Sequence, residues 1–341
     1  MIYRSKAPLR IGLAGGGTDV SPYSDEYGGA ILNATISLSA NASIQTFQNN
    51  KIIVEALDRK EVQEYELTNT LPINGELDLL KGVYNRIQKD FPFTHSGFRL
   101  STFVDAPAGS GLGTSSTLVV AILGAFVEML KLPLGDYDIA HLAYSIERED
   151  LLLAGGKQDQ YAATFGGVNF MEFYGGDKVI VNPLRIRPEY MHELGNDLVL
   201  YFTATSRESA SIIKEQVKNV HNKDEKSIEA MHLLKEQSKM MKEALLKGRL
   251  NEFGEILDFG FQQKRKMAHN ISNSSIEAIY EAAKKAGATG GKISGAGGGG
   301  FMIFYCPGNT RYKVIETLNT FGGEIKNYSF TKYGLTTWAT S

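Results

Sequence analysis

Pro107-Ala108-Gly109-Ser110-Gly111-Leu112-Gly113-Thr114-Ser115-Ser116 is the stretch on which the reading of this 341-residue chain turns. Three glycines alternate with larger residues, and three hydroxyl residues follow at once. Just upstream, residues 98–104 have the aromatic and β-branched content of a strand. Just downstream, residues 114–131 read as a long apolar helix, stopped by Pro133. The order is therefore strand, glycine-rich loop, helix start. A helix N-terminus offers unpaired N–H groups and a positive dipole end, so it binds anions. Glycine lets the backbone come close to such a ligand. Ser and Thr at that point can cap the helix, take a phosphate oxygen or reach a metal ion. Capping alone does not account for three hydroxyls after three alternating glycines.

Two further clusters, residues 12–17 and 295–300, concentrate the 36 glycines of the chain. Any one cluster is most simply a tight turn; the three together point to a phosphate-rich ligand. The Walker pattern is absent, since no Gly-Lys-Ser or Gly-Lys-Thr follows the middle loop. Asp258-Phe259-Gly260 matches a protein-kinase tripeptide, but it lies in a helical pattern with no His-Arg-Asp loop before it. The first cluster, Ile11 to Gly17, follows a strand as a dinucleotide-binding turn would. It lacks the G-x-G-x-x-G spacing and an acidic residue about 20 positions on to hold a ribose. An NAD-dependent oxidoreductase is thus the weaker alternative.

The bulk composition sets bounds. The length suits two lobes. With 43% hydrophobic and 22% charged residues the chain reads as globular, and a net charge of −2 gives no sign of a nucleic-acid or acidic-membrane partner. Cys306 is the one cysteine, so no intrachain disulfide is expected, and its apolar neighbours make it a packing residue. The N-terminus has no apolar core of signal-peptide length, and the longest apolar stretch, residues 118–130, is interrupted by Glu128. It is too short to span a bilayer, which takes about 20 residues. A cytoplasmic protein with no membrane partner is expected.

Strands are expected at 3–13, 30–38, 42–47 and 52–57, then a helix at 79–90. After the long apolar helix, a second helix is expected at 136–153, and a strand at 168–173. A lobe boundary falls near Gly175-Gly176, dividing the chain into 1–175 and 176–341. The second half opens with a strand at 198–204, continues with helices at 209–246, 250–268 and 275–286, and closes strand, helix, strand, strand at 301–306, 312–321, 325–330 and 335–339.

At these residues a family resemblance emerges. Lys6-Ala7-Pro8-Leu9-Arg10-Ile11-Gly12-Leu13-Ala14-Gly15-Gly16-Gly17-Thr18-Asp19 resembles the first motif of the GHMP kinases. The stretch from Pro107 to Ser116 is similar to their phosphate-binding motif, and Lys292-Ile293-Ser294-Gly295-Ala296-Gly297-Gly298-Gly299-Gly300 to their third. The three come in family order and span nearly the whole chain. The Ala-Gly-Gly-Gly-Thr-Asp form of the first motif, with Gly156-Lys157-Gln158-Asp159-Gln160-Tyr161 and Thr203-Ala204-Thr205-Ser206-Arg207-Glu208, is similar to a subgroup acting on heptose 7-phosphate or fucose. The resemblance implies a two-lobed α+β fold, with an N-terminal lobe like ribosomal protein S5 domain 2 and a ferredoxin-like C-terminal lobe. It implies a kinase that uses ATP and Mg2+ to phosphorylate the anomeric hydroxyl of a small-molecule sugar phosphate. Members of the family that sense sugars or decarboxylate are the alternative; the oligomeric state stays open.

The resemblance also implies roles. Asp159 is the base for the acceptor hydroxyl, and without the resemblance it would read as a helix-capping aspartate. Arg10 matches a cationic position and would stabilise the transferring phosphoryl group or act on Asp159; otherwise it is a strand-surface ion pair. Pro107, Gly109, Ser110, Gly111, Leu112, Gly113, Thr114, Ser115 and Ser116 would hold ATP. Glu147 and Ser115 would hold the magnesium, which needs few protein ligands, although Glu147, Glu149 and Asp150 also fit a solvated helix face. Gly16, Gly17, Thr18, Asp19, Gly297 and Gly298 would meet the sugar. Arg207 would take a phosphate on its far end, with a helix-capping or Glu208-pairing role nearly as plausible.

Overall fold

A computed structural model describes residues 1–176, 178–204 and 209–341. Asp177 and the segment expected to carry Arg207 lie outside the described residues. No helix among the described residues is long and apolar enough to cross a membrane.

The first layer is an eight-stranded sheet. Its path is β12 (Thr336–Thr340), β1 (Ile2–Ala14), β2 (Gly29–Thr46), β5 (Phe98–Val104), β3 (Lys51–Ala56) and β4 (Glu61–Glu66), with β6 (Val168–Phe173) paired to β2 and β7 (Val179–Pro183) to β6. Among the described strands only β3 and β5 run parallel. The two strands expected at 30–38 and 42–47 are one strand, β2, whose pairing with β1 shifts register between Pro8 and Arg10. Ala7 to Ala14 are all buried, because both faces of this sheet are covered. On one face lies α3 (Thr114–Leu130), its residues Ser116 to Phe126 buried and packed with Leu100, Val54 and Tyr84 of the same core.

Two strands beyond residue 176, β7 and β12, join this first sheet, so strand pairing crosses the expected 175/176 division. The second sheet has the order β11 (Glu324–Ile325), β8 (Leu198–Phe202), β10 (Phe301–Tyr305), β9 (Gly290–Ile293), all antiparallel. In chain order these are strands four, one, three and two of a β-α-β-β-α-β unit, the ferredoxin-like pattern expected. One core serves both lobes: Leu9, Ile11 and Leu13 of β1 pack with Leu200, Phe301 and Ile303 of the second sheet.

Several local expectations need correction. The helix expected at 209–246 is two, α7 (Ser209–His221) and α8 (Glu225–Lys247), because Asp224 caps the second by accepting from the Ser227 N–H at 2.7 Å. The helix expected at 136–153 is α4 (Asp136–Ser145) followed by one π-helical turn, Ile146–Asp150. Unexpected elements include α1 (Tyr23–Tyr27), β4, β7, α5 (Gln158–Phe165), α6 (Pro188–Asp197), which starts on a proline in its first turn, and β9, whose Gly290 and Gly291 hid its strand character. The strand expected at 325–330 shrinks to β11, with Phe330 making one isolated bridge to Ile36.

Candidate active site

All three glycine clusters meet at one cleft of about 290 Å3 between the lobes, reached by Gly12, Gly16, Gly17, Gly109, Gly111, Gly113 and Gly295. Gly109, Gly111 and Gly113 have φ of 71°, 87° and 78°, a backbone that favours glycine. They deliver the chain to α3, whose N-terminus has no side-chain cap. The first N–H groups of the helix are therefore available to an anion. Middle and third clusters are in backbone contact: a side-chain carbon at Gly111 would fall 2.6 Å from the Ser294 carbonyl oxygen.

Arg10 on β1 is the hub. Its Nε and Nη2 reach Asp159 Oδ1 at 2.7 and 2.6 Å, and its Nη1 donates to the Gly111 carbonyl at 2.6 Å. Asp159 sits in the first turn of α5 and is 24% exposed, against 5% for Arg10, so the carboxylate faces the cleft with its partner behind it. Asp19 is buried nearby and accepts from the Gln158 N–H at 3.0 Å. Burial, followed by the charge of Asp159, pushes the Asp19 carboxyl above its ordinary range. Gly156 must lack a side chain here, since a Cβ would lie 1.9 Å from Asp19 Oδ2.

Glu147 comes from the π-helical turn, which brings its carboxylate into the cleft while Ile146 stays in the core. It is buried, accepts from Gln160 Nε2 and Ser116, and lies 3.8 Å from Arg148. Burial raises its pKa; Arg148 and the two donors oppose that. Arg148 also braces the following loop through the Leu153 and Gly156 carbonyls, each at 3.2 Å.

Two lysines complete the lining. Lys264 closes α9 (Phe253–Lys264), and its Nζ donates to the Gly295 carbonyl; Lys292 on β9 donates to the Gly12 carbonyl at 2.8 Å. Burial and neighbouring cations bring Lys264 down to about 8 and hold Lys292 well below the ordinary lysine range.

Family models for the GHMP kinase N-terminal domain and C-terminal domain match residues 78–167 and 241–324. The D-glycero-alpha-D-manno-heptose 7-phosphate kinase of Campylobacter jejuni is 48% identical over 335 residues, 98% of either chain. The chain belongs to the GHMP kinase family. A crystal structure described as a D-glycero-D-manno-heptose 1-phosphate kinase from Bacteroides thetaiotaomicron superposes with TM-score 0.86 at 45% identity, covering 99% of both chains. A bifunctional fucokinase/GDP-fucose pyrophosphorylase of Arabidopsis thaliana is 27% identical over 91% of this chain and 30% of its own length. The galactokinase of Lactococcus lactis, at 20% identity and TM-score 0.77, shares the fold. This chain is a phosphotransferase, and the dinucleotide reading of the first glycine cluster falls.

Seen on this GHMP kinase framework, the expected residues divide. Arg10, Gly16, Gly17, Asp19, Gly109, Gly111, Gly113, Thr114, Ser115, Ser116, Glu147 and Asp159 line the cleft. Thr18 is turned away, its hydroxyl bonded to the Gly15 and Ala30 carbonyls. Leu112 is fully buried in the core shared by the two sheets, and the Ser110 hydroxyl is buried without a partner among the described residues. Gly297 and Gly298 pack on Ile271, with the Gly298 N–H bonded to its carbonyl at 2.9 Å; the third cluster meets the cleft through Gly295 and Ala296 instead. Pro107 is exposed and outside the lining. Sequence reasoning missed Lys264, Lys292, Gln158 and Gln216. Lys292 begins the third motif and was legible as a cation beside glycines; Lys264, in an ordinary helix, had no local signal.

Proposed function

We propose that this GHMP kinase transfers the γ-phosphoryl group of ATP to the anomeric hydroxyl of D-glycero-D-manno-heptose 7-phosphate, giving the 1,7-bisphosphate. The observation that carries the reading is the Arg10–Asp159 pair, placed between the uncapped start of α3 and buried Asp19. The helix start would hold the nucleotide phosphates, and Asp19 an acceptor hydroxyl. Asp159 would take the proton of the anomeric hydroxyl as its oxygen attacks the γ-phosphorus and the bond to ADP breaks. Both Arg10 bonds fall on Oδ1, which fixes the carboxylate and leaves Oδ2 for that proton. The 48% identity to the Campylobacter jejuni enzyme supports the choice of acceptor.

The site fits magnesium. Glu147 is a buried cleft carboxylate whose pKa burial raises, a cost that a divalent cation would offset. Glu147 would hold the ion with Ser115 at the helix start, since magnesium keeps most of its waters and phosphate ligands. Bound there, it would neutralise charge on the nucleotide phosphates.

An acceptor panel tests the reading: heptose 7-phosphate, heptose 1-phosphate, unphosphorylated heptose, L-fucose and mevalonate. The 7-phosphate should have the highest kcat/KM, with a new anomeric phosphate in the phosphorus NMR spectrum. A preference for fucose, or for the 1-phosphate named for the Bacteroides structure, would overturn it.

A further inference from the structure

Four cations line the cleft, and they are not alike. Arg10 is paired with Asp159, and Arg148 with Glu147. Lys264 and Lys292 have no carboxylate within ion-pair distance among the described residues, yet both are only 5% exposed. Each is held by one backbone carbonyl, from Gly295 and Gly12. A buried ammonium with no carboxylate in contact is costly, and among the described residues only Asp19, beyond ion-pair distance, offsets this for Lys264; an anion between the two lysines would lower the cost for both.

Gly16 lies beside both ammonium groups. Its φ is not in the left-handed region, so its conformation does not call for glycine. What the missing side chain leaves is room: a carbon there would lie 3.7 Å from Lys264 Nζ and 3.9 Å from Lys292 Nζ. The two ammonium groups flank that spot from different elements, α9 and β9, with Arg10 close enough to depress both.

We propose that Lys264 and Lys292, with the space left at Gly16, form a site for phosphoryl oxygens, supplied by the acceptor's own phosphate or by the group in transfer. The first source rests on the heptose phosphate reading; the second needs only a kinase. Bound oxygens would supply the missing negative charge and draw both lysines back toward their ordinary protonation.

The test uses the full chain as Lys264→Met, Lys292→Met and Gly16→Ala, the last keeping both lysines and meeting only ordinary contacts. Inorganic phosphate is titrated by calorimetry, with thermal unfolding as the check on folding. Each lysine variant should bind phosphate at least about tenfold more weakly, the loss of one charge-assisted bond, and Gly16→Ala should weaken binding as much by filling the space between the lysines. Kinetics then name the source. If the acceptor's phosphate sits here, KM for heptose 7-phosphate rises about tenfold more than KM for the unphosphorylated heptose. If the transferring group does, kcat falls alike for every acceptor. Folded variants that bind phosphate and use both sugars within twofold of the parent would overturn the site. If the parent does not use heptose 7-phosphate at all, the acceptor assignment fails on its own, and phosphate titration of the Gly16→Ala variant still decides the lysine site.

Discussion

The cleft has two walls built from different material. The wall at α3 is backbone: three positive-φ glycines and the uncapped start of a helix, with no charged side chain between Gly109 and Ser116. The facing wall is charge: Arg10, Asp159, Asp19, Lys264 and Lys292, drawn from β1, the loop after it, α5, α9 and β9. A backbone wall suits a ligand group that is the same in every reaction of a family, since N–H groups cannot be mutated away. A charged wall is where acceptors are told apart and protons move. The comparison also yields an order of effects, because side chains that change charge in the reaction should matter more than those that line a preformed cradle.

Asp159→Asn should give the largest effect. Asparagine keeps the shape and can still meet Arg10 through its carbonyl, but it takes no proton at neutral pH. Turnover should fall by about 10²–10⁴-fold, the usual range for a general base. ATP affinity, which the proposed site assigns to the other wall, should stay within about twofold by calorimetry. Equal losses in turnover and ATP affinity would show that the two walls do not act separately.

Gly111→Ala sharpens what the backbone wall is for. The family resemblance gives this glycine a role toward ATP only. The structure makes it a junction: φ is 87°, an added Cβ would press on Ser294, and its carbonyl accepts from both Arg10 and the Ser294 hydroxyl. The left-handed backbone alone costs a side chain about 1–2 kcal/mol. Urea unfolding should show a loss of at least that size, with turnover reduced because Arg10 loses its anchor. A variant of unchanged stability with weaker ATP binding would return Gly111 to a phosphate-contact role.

The same contrast explains what was legible in the sequence. Glycine runs before a helix are local signals, so the loop, α3 and the three clusters stand out in the primary structure. The charged wall is assembled over long separations: Arg10 meets Asp159 across 149 residues, and Lys292 meets Gly12 across 280. Asp159 and Glu147 were found only because family motifs carry them, and Lys264 was found by neither route. Local structure failed where a small cue outweighed periodicity. Asp224 capping α8 split an apparently continuous helix, and the π-helical turn at Glu147 keeps the helical pattern while redirecting a side chain. The site lysines depend on packing in the same way. Gly254 and Gly260 let α9 approach Thr289 and Gln237 closely enough to bring Lys264 to the cleft, which no window along the chain displays.

Ser115→Ala should give the smallest effect, and it is the sharpest check on the backbone wall. Ser115 is the second residue of α3, exposed, and its hydroxyl has no partner among the described residues. Its neighbour Ser116 is buried and tied to Gln160 at 3.1 Å, so the two hydroxyls are not equivalent. Alanine keeps the helix start and every N–H group there, and it favours helix slightly. If those N–H groups carry the phosphates, only one side-chain bond is lost, about 1 kcal/mol, or roughly fivefold in ATP affinity. If the hydroxyl also reaches the metal, the loss should grow as magnesium is lowered, and a calorimetric titration at two magnesium concentrations separates the cases. A loss beyond about a hundredfold at saturating magnesium would mean that the phosphates are held by this side chain, and the division between a backbone wall and a charged wall would fail at its simplest point.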